Sequence, residues 1–243
     1  MKPLIFLSIL MYNGRTMDDS IRKYLDLYSL FHENGYSLFL VGGTVRDYLL
    51  NNKLDDMDAV SDATPEEMKK FLPNANYVFA KFGSVSIKIE GTKFDITTLR
   101  EENSYIDSRH PGEVKFVKDL SIDVKRRDFT INALYLDNNL QTIDYVDGVS
   151  DLKKGILRMV GNPENRLKED PLRIIRALRF SIDYDLSIEE ELDKAIRNNI
   201  SLLDKLNIEK IKQDIKKIKC LDKEKISKKF IEYDIKHLSD VLK

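Results

Sequence analysis

Ser37-Leu38-Phe39-Leu40-Val41-Gly42-Gly43-Thr44-Val45-Arg46-Asp47-Tyr48-Leu49-Leu50, followed closely by Asp56-Met57-Asp58, decides how this chain is read. The apolar run before Gly42 reads as a strand, the two glycines as a turn, and Val45 to Leu50 as a helix that Thr44 can cap. A strand, a glycine turn and a helix start leave backbone N–H groups pointing at one spot, which suits a phosphate. Arg46, in the first turn, can add a charge-assisted contact. On a strand, residues i and i+2 share a face, so Asp56 and Asp58 aim their carboxylates at one point. Two such charges repel unless a cation lies between them. Mg²⁺ takes oxygen ligands of this kind and completes its shell with water and substrate phosphate. The local reading is a metal beside a phosphate.

A third carboxylate follows. Ser84 to Glu90 alternates like a half-buried strand, Gly91-Thr92 turns the chain, and Lys93 to Leu99 reads as the hairpin partner. Asp95 lies between Phe94 and Ile96 and so faces away from them. Alone it would be an ordinary solvent-facing residue on an edge strand. Arg100 to Gly112 is polar and turn-rich, which predicts a surface loop. In Val124 to Leu134, Phe129, Ile131, Ala133 and Leu134 are apolar enough to bury, while Arg126-Arg127-Asp128 stays polar. A basic pair beside an acid is ordinarily a solvated ion pair. After a metal site it can instead hold a triphosphate and a ribose hydroxyl. Tyr135 to Val146 reads as a hairpin turned by Asn138-Asn139 that closes the sheet.

From Pro163 the period becomes helical. Asp170 fits an N-cap and Pro171 the first helical position. Arg173, Arg176 and Arg179, spaced by three, share a stripe whose bland account is an exposed basic face. Ser187-Ile-Glu-Glu190 has the form of a capping box opening a helix to about Arg197. Asn207 caps another, with Ile208, Ile211, Ile215 and Ile218 inward. Leu221 to Lys243 is lysine-rich with amphipathic spacing at Ile226, Phe230, Ile231, Ile235 and Leu238. The 243 residues carry a net charge of −1, so any nucleic-acid contact must come from local patches. The single cysteine, Cys220, excludes an intrachain disulfide and a cysteine metal site. The apolar run Leu4 to Met11 is too short to span a bilayer, so the expectation is a cytoplasmic protein without a membrane partner. Met17 is an alternative start.

Five motifs stand here in one order: Leu40-Val-Gly-Gly-x-Val-Arg-Asp47, Asp56-x-Asp58, Asp95-Ile-Thr-Thr-Leu-Arg100, Arg126-Arg-Asp-Phe-Thr-Ile-Asn-Ala133 and Glu169-Asp-Pro-Leu-Arg173. From about Tyr36 to Lys217 the chain resembles the class II tRNA nucleotidyltransferases, the CCA-adding enzymes, and the related bacterial poly(A) polymerases. The resemblance implies an α+β fold class, an N-terminal nucleotidyltransferase palm with a mixed β-sheet and helices followed by an all-α neck domain. The expected boundaries are an N-terminal helical segment at 1–35, the catalytic domain at 36–150, the helical neck with a base-template helix at 151–220 and a lysine-rich helix at 221–243.

The resemblance also implies template-independent addition of C and A to the 3′ end of tRNA from CTP and ATP, with pyrophosphate released by catalysis at two Mg²⁺ ions. Asp56 and Asp58 would bind metal, and Asp95 would orient or activate the attacking hydroxyl. Gly42, Gly43, Arg46 and Arg127 would hold the triphosphate, with Asp128 or Asn132 near the sugar. Asp170 and Arg173 would read the base edge, braced by Arg176 and Arg179. A carboxylate accepts from the amines of cytosine and adenine, whereas uracil and guanine present a carbonyl there. In the family the loop at Arg100 to Gly112 helps switch from C to A addition, so its full length favours a complete CCA enzyme over a C-only member and argues against a poly(A) polymerase; an A-adding enzyme is the other alternative. A non-catalytic RNA-binding relic would have lost carboxylates, and all three stand. Lys210 replaces an arginine usual in the last motif, and the chain ends before the family's body and tail domains. The expectation is a minimal enzyme, a fragment, or a chain whose RNA-binding surface comes from a partner chain or an oligomer.

Overall fold

The computed structural model describes residues 11–12, 15–16, 19–105 and 111–235. In chain order it contains β1 (Met11–Tyr12), β2 (Arg15–Thr16), α1 (Asp19–Glu33), β3 (Leu38–Val41), α2 (Gly43–Leu49), β4 (Asp56–Ser61) and α3 (Pro65–Phe71). Then follow β5 (Ser84–Ile89), β6 (Thr92–Thr98), β7 (Arg100–Tyr105), β8 (Pro111–Phe116), α4 (Leu120–Asp123), β9 (Leu134–Leu136), β10 (Thr142–Asp144), α5 (Gly148–Lys154) and β11 (Ile156–Leu157). The chain continues through α6 (Pro163–Glu169), α7 (Leu172–Asp183), β12 (Ser187–Ile188), α8 (Glu190–Asn199), α9 (Ile208–Ile215) and α10 (Lys223–Glu232). These elements gather into two units. The first holds the described residues up to Arg100 with Phe116–Leu120 and Tyr135–Ile143, and the second holds those of Glu101–Lys115, Ser121–Leu134 and from Asp144 onward.

The first unit is built on a six-stranded mixed sheet in the order β10-β9-β3-β4-β6-β5. β3 runs antiparallel to β4 and β9, β4 parallel to β6, and β5 antiparallel to β6. The β5–β6 hairpin turns at Glu90 (φ 45°) and Gly91 (φ 88°), the positive-φ pair that a two-residue turn between twisted strands needs. Along β6, Phe94, Ile96 and Thr98 are buried while Lys93, Asp95 and Thr97 alternate to the other face. Helix α1 buries Ile21, Tyr24, Leu27 and Phe31, and the Tyr24 hydroxyl lies 3.1 Å from Leu38 O and 3.3 Å from Leu136 O. That one phenol reaches carbonyls of two strands distant in sequence.

The second unit is largely helical around α7, which buries Leu172, Ile174, Ile175, Ala177, Leu178 and Phe180 and has little solvent face. The capping-box expectation at Ser187 gives way to a different start. Ser187 N donates to Gly155 O and Glu189 N to Leu157 O, so these residues pair as β12 with β11. Helix α8 then begins at Glu190, capped by the Glu189 side chain accepting from Leu192 N at 3.2 Å. In α9, Ile211 and Ile215 are buried as expected, but Ile208, the first residue of the helix, is exposed. Ile226, Phe230 and Ile235 are buried and Ile231 is exposed. The segment expected as a loop at Arg100 to Gly112 is instead flanked by the paired strands β7 and β8; residues 106–110, the N-terminal run at 4–10 and Leu238 lie outside the described residues. No helix among the described residues is long and apolar enough to cross a membrane.

Candidate active site

The site residues of the first unit meet at one end of the sheet. Parallel pairing of β4 with β6 sets Asp58 opposite Asp95 and Asp56 opposite Lys93. The hairpin extends the rows, setting Ser86 beside Asp95 and Lys88 beside Lys93. Asp56, Asp58 and Asp95 therefore share one face, as alternation predicts, with Asp56 and Asp58 exposed and Asp95 half-buried. Lys93 Nζ donates to Asp95 Oδ2 at 2.6 Å. That bond raises the ammonium above its ordinary value, and the charges of Asp95, Asp56 and Asp58 add to the effect against partial burial.

The glycine turn stands beside this face. Gly42 has φ 66°, a left-handed value that favours glycine, and Gly43 has no side chain to fill the space next to it. A Cβ on Gly43 would lie 3.4 Å from Arg46 Nη2 and 3.8 Å from Asp58 Oδ2, so guanidinium, carboxylate and bare backbone converge there. Arg46 itself is buried, with Nη2 3.1 Å from Asp47 Oδ2. The expected cap is corrected: Thr44 Oγ1 accepts the backbone N–H of Asp58 at 2.7 Å, and α2 starts from Gly42 with no side-chain cap. A hydroxyl used between helix and strand is unavailable to its own helix.

The remaining candidates belong to the second unit. Asp123, fully buried, accepts from Arg126 Nε at 2.8 Å and from Arg127 Nη2 at 2.7 Å, and so holds both arginines of the polar pair. Arg166 Nη2 donates to Arg126 O at 2.6 Å and to Arg127 O at 2.9 Å, which ties α6 to the same segment. Asp128, Asn132 and Arg176 form one network. Asp128 Oδ1 accepts from Phe129 N at 2.7 Å and Asn132 Nδ2 at 3.3 Å, and Oδ2 accepts from Arg176 Nε at 2.8 Å and from Arg176 Nη2. Burial alone would push the Asp128 carboxyl up; the Arg176 charge and these hydrogen bonds outweigh it and hold the group at about 2. Asp123 and Arg166 were not singled out from the sequence. The available signal was an acid three and four residues before an arginine pair, on one helical face.

Asp170 Oδ1 accepts from Leu172 N at 3.1 Å, but Asp170 closes α6 and Pro171, expected as the first helical position, stands as the N-cap of α7. Arg173 is buried on the first turn of α7, with Nη1 2.7 Å from Arg166 O and 3.2 Å from Glu169 Oε2. One turn apart follow Arg176 and Arg179; the Arg179 guanidinium lies over the Phe180 ring at 4.7 Å, and its buried Nε finds no hydrogen-bond partner among the described residues. Desolvation, with the neighbouring Arg176 charge, lowers Arg179 below its ordinary value. The arginine stripe is thus half sunk into the unit and not the solvated face that spacing alone allowed.

Among the described residues no group of three His, Cys, Asp or Glu side chains is arranged to hold a metal ion. The chain offers instead two exposed carboxylates on one strand face, Asp56 and Asp58. That donor set fits Mg²⁺, which binds through one or two carboxylates and fills its other positions with water and phosphate.

Comparison with known proteins gives consistent matches. The family model described as the Poly A polymerase head domain matches residues 38–158. A CCA-adding enzyme of Ligilactobacillus salivarius is 44% identical over 193 residues, covering 79% of this chain and 48% of that protein. One of Staphylococcus haemolyticus is 39% identical over 186 residues, covering 76% and 46%. Among solved structures, the Bacillus stearothermophilus CCA-adding enzyme in complex with CTP superposes with a TM-score of 0.76 at 32% identity, covering 83% of this chain and 49% of that one. The Thermotoga maritima CCA-adding enzyme complexed with tRNA gives a TM-score of 0.73 at 28% identity, covering 91% and 53%. The chain spans about half the length of the curated relatives it matches.

Proposed function

We propose that this chain, which matches the Poly A polymerase head domain model over residues 38–158, is a template-independent nucleotidyltransferase adding C and A to the 3′ end of tRNA from CTP and ATP. The observation that carries the proposal is the row Asp58–Asp95 with Asp56 on the same face, beside the bare turn at Gly42-Gly43. The curated relatives are CCA-adding enzymes, and one solved relative is in complex with CTP.

In this reading Asp56 and Asp58 would hold Mg²⁺, with two ions expected. Bound there, the metal would lower the pKa of the attacking hydroxyl and neutralise charge at the α-phosphate and departing pyrophosphate. Asp95 orients the RNA 3′-hydroxyl and accepts its hydrogen bond. Gly42, Gly43 and Arg46 bind triphosphate oxygens; Arg127 is read as a separate anion-binding group, its fork fixed by Asp123. Asp128 and Asn132 serve the ribose, held rigid by Arg176. Asp170 and Arg173 pair with the base edge, accepting from the cytosine or adenine amine and donating to the adjacent ring position. Arg176 and Arg179 brace that helix.

The test is transfer by the purified protein with Mg²⁺ and each nucleotide separately, on tRNA lacking CCA, tRNA ending at its second C, and complete tRNA. Addition of two Cs and one A that then stops is the expected outcome. The family model is named for poly(A) polymerases, and extension by A alone on all three acceptors would replace CCA addition with that activity.

A further inference from the structure

The carboxylate face is asymmetric, and the asymmetry assigns a direction to the acceptor. In the sheet order β3-β4-β6-β5, the turn at Gly42-Gly43 and Arg46 follow β3, on one flank of the acids carried by β4 and β6. On the opposite flank two lysines stand in register, Lys93 on β6 and Lys88 on β5, in the row that begins with Asp56. Adjacent strands are about 4.8 Å apart, so this row reaches about 10 Å outward from β4.

Three carboxylates on one face repel any RNA phosphate that approaches them. Lys93 is already engaged with this face through Asp95. Lys88 is exposed on the edge strand and forms no ion pair among the described residues, so the packing of the sheet gives no reason for its charge. Phosphoryl transfer sets the attacking and leaving oxygens roughly in line across phosphorus. If pyrophosphate leaves on the flank of the glycine turn, the 3′-oxygen must enter from the other flank. That flank is the one with Asp95, Lys93 and Lys88.

We propose that Lys88 and Lys93 bind the last phosphodiesters of the acceptor RNA and so position its 3′-hydroxyl at Asp95. The proposal rests on the nucleotidyltransferase reading above. It makes the β5–β6 hairpin the acceptor side of the first unit and the β3–α2 turn its nucleotide side.

The experiment compares Lys88→Met, Lys93→Met and the double variant in the full chain. Binding of fluorescein-labelled tRNA lacking CCA is measured by anisotropy without metal or nucleotide, and binding of CTP with Mg²⁺ is measured by calorimetry without RNA. The double variant should bind the RNA about tenfold more weakly, with the slope of log affinity against log salt reduced by about 1.5–2, while CTP binding stays within about twofold. Lys88→Met alone should shift RNA binding in the same direction, without removing a partner of Asp95. Unchanged RNA affinity in the double variant overturns the proposal, and so does a loss of CTP affinity with RNA binding intact, which would put the lysines on the triphosphate side. Both binding arms are independent of turnover. Absence of transfer by the unsubstituted protein on every acceptor would count against the nucleotidyltransferase reading instead.

Discussion

Thr44 Oγ1 accepts the backbone N–H of Asp58 at 2.7 Å, so one hydroxyl on α2 fixes the strand residue whose carboxylate lies beside Gly43. Valine has nearly the same shape and no acceptor. Thr44→Val should therefore cost about 1–3 kcal/mol, the penalty for leaving that N–H unpaired, and lower transfer several-fold, while Thr44→Ser should retain both. Urea unfolding with single-turnover assays would decide it; a valine variant as stable and active as the parent would show the bond to be idle.

Asp58→Asn keeps the volume and removes the charge. Transfer should fall by about 10³-fold or more if the carboxylate is a metal ligand. Urea unfolding of the variant separates loss of transfer from loss of fold. Unchanged turnover in the folded variant would remove Asp58 from the chemistry.

Arg173→Ala tests reading of the base. Loss of its donors should reduce the preference for CTP over UTP by about 10²-fold in kcat/KM, more than it reduces CTP turnover itself. The same change opens the bonds to Arg166 O and Glu169, so a lower Tm is also expected. An unaltered nucleotide preference would refute the templating role.

Asp128 ties stability to pH. Its carboxyl is held at about 2 against an ordinary 3.8. A depressed folded value stabilises the protein above the unfolded pKa, and the contribution disappears as pH falls from about 4 towards 2. The size is about 2 kcal/mol. Asp128→Asn should remove this acid-dependent component and, by leaving Arg176 without its carboxylate, cost about 3 kcal/mol at pH 7. Chemical denaturation at several pH values measures both; parallel curves for parent and variant would contradict the assignment.

Gly148 begins α5 where a Cβ would stand 2.1 Å from Thr130 O and 2.7 Å from Thr130 C. Backbone cannot yield as a flexible side chain can. Gly148→Ala should destabilise the second unit by about 2 kcal/mol or more, read as a lower urea midpoint. An unshifted midpoint would mean that the segments separate at little cost.

Much of the first unit could be read along the chain, because its signals are local. The apolar run before Gly42, the alternation through Ser84 to Glu90 and the turn at Gly91 each describe neighbours in sequence, and the strands and hairpin stand where they predict. The start of α8 was misread for the opposite reason: Ser187 is committed by its bond to Gly155 O, a contact that no local window contains. The pairing of β7 with β8 escaped because Arg100 to Tyr105 is polar and shows no apolar alternation. Asp123 escaped notice because an acid near two arginines looks like a solvated pair until burial makes it their anchor.

The sequence by itself picked out the residues proposed for the chemistry: glycines for a bare turn, two aspartates at a spacing that puts them on one strand face, and an acid with arginines at a helix start. Only the tertiary structure decided that Asp58 lies in register with Asp95, that Thr44 serves Asp58 and not its own helix, and that Arg176 belongs to Asp128. Periodicity reports which face a side chain takes within its own element. Strand register and buried polar pairs are set by segments far apart in sequence, whose apolar faces and hydrogen-bonding groups can all be satisfied together only in the packed chain.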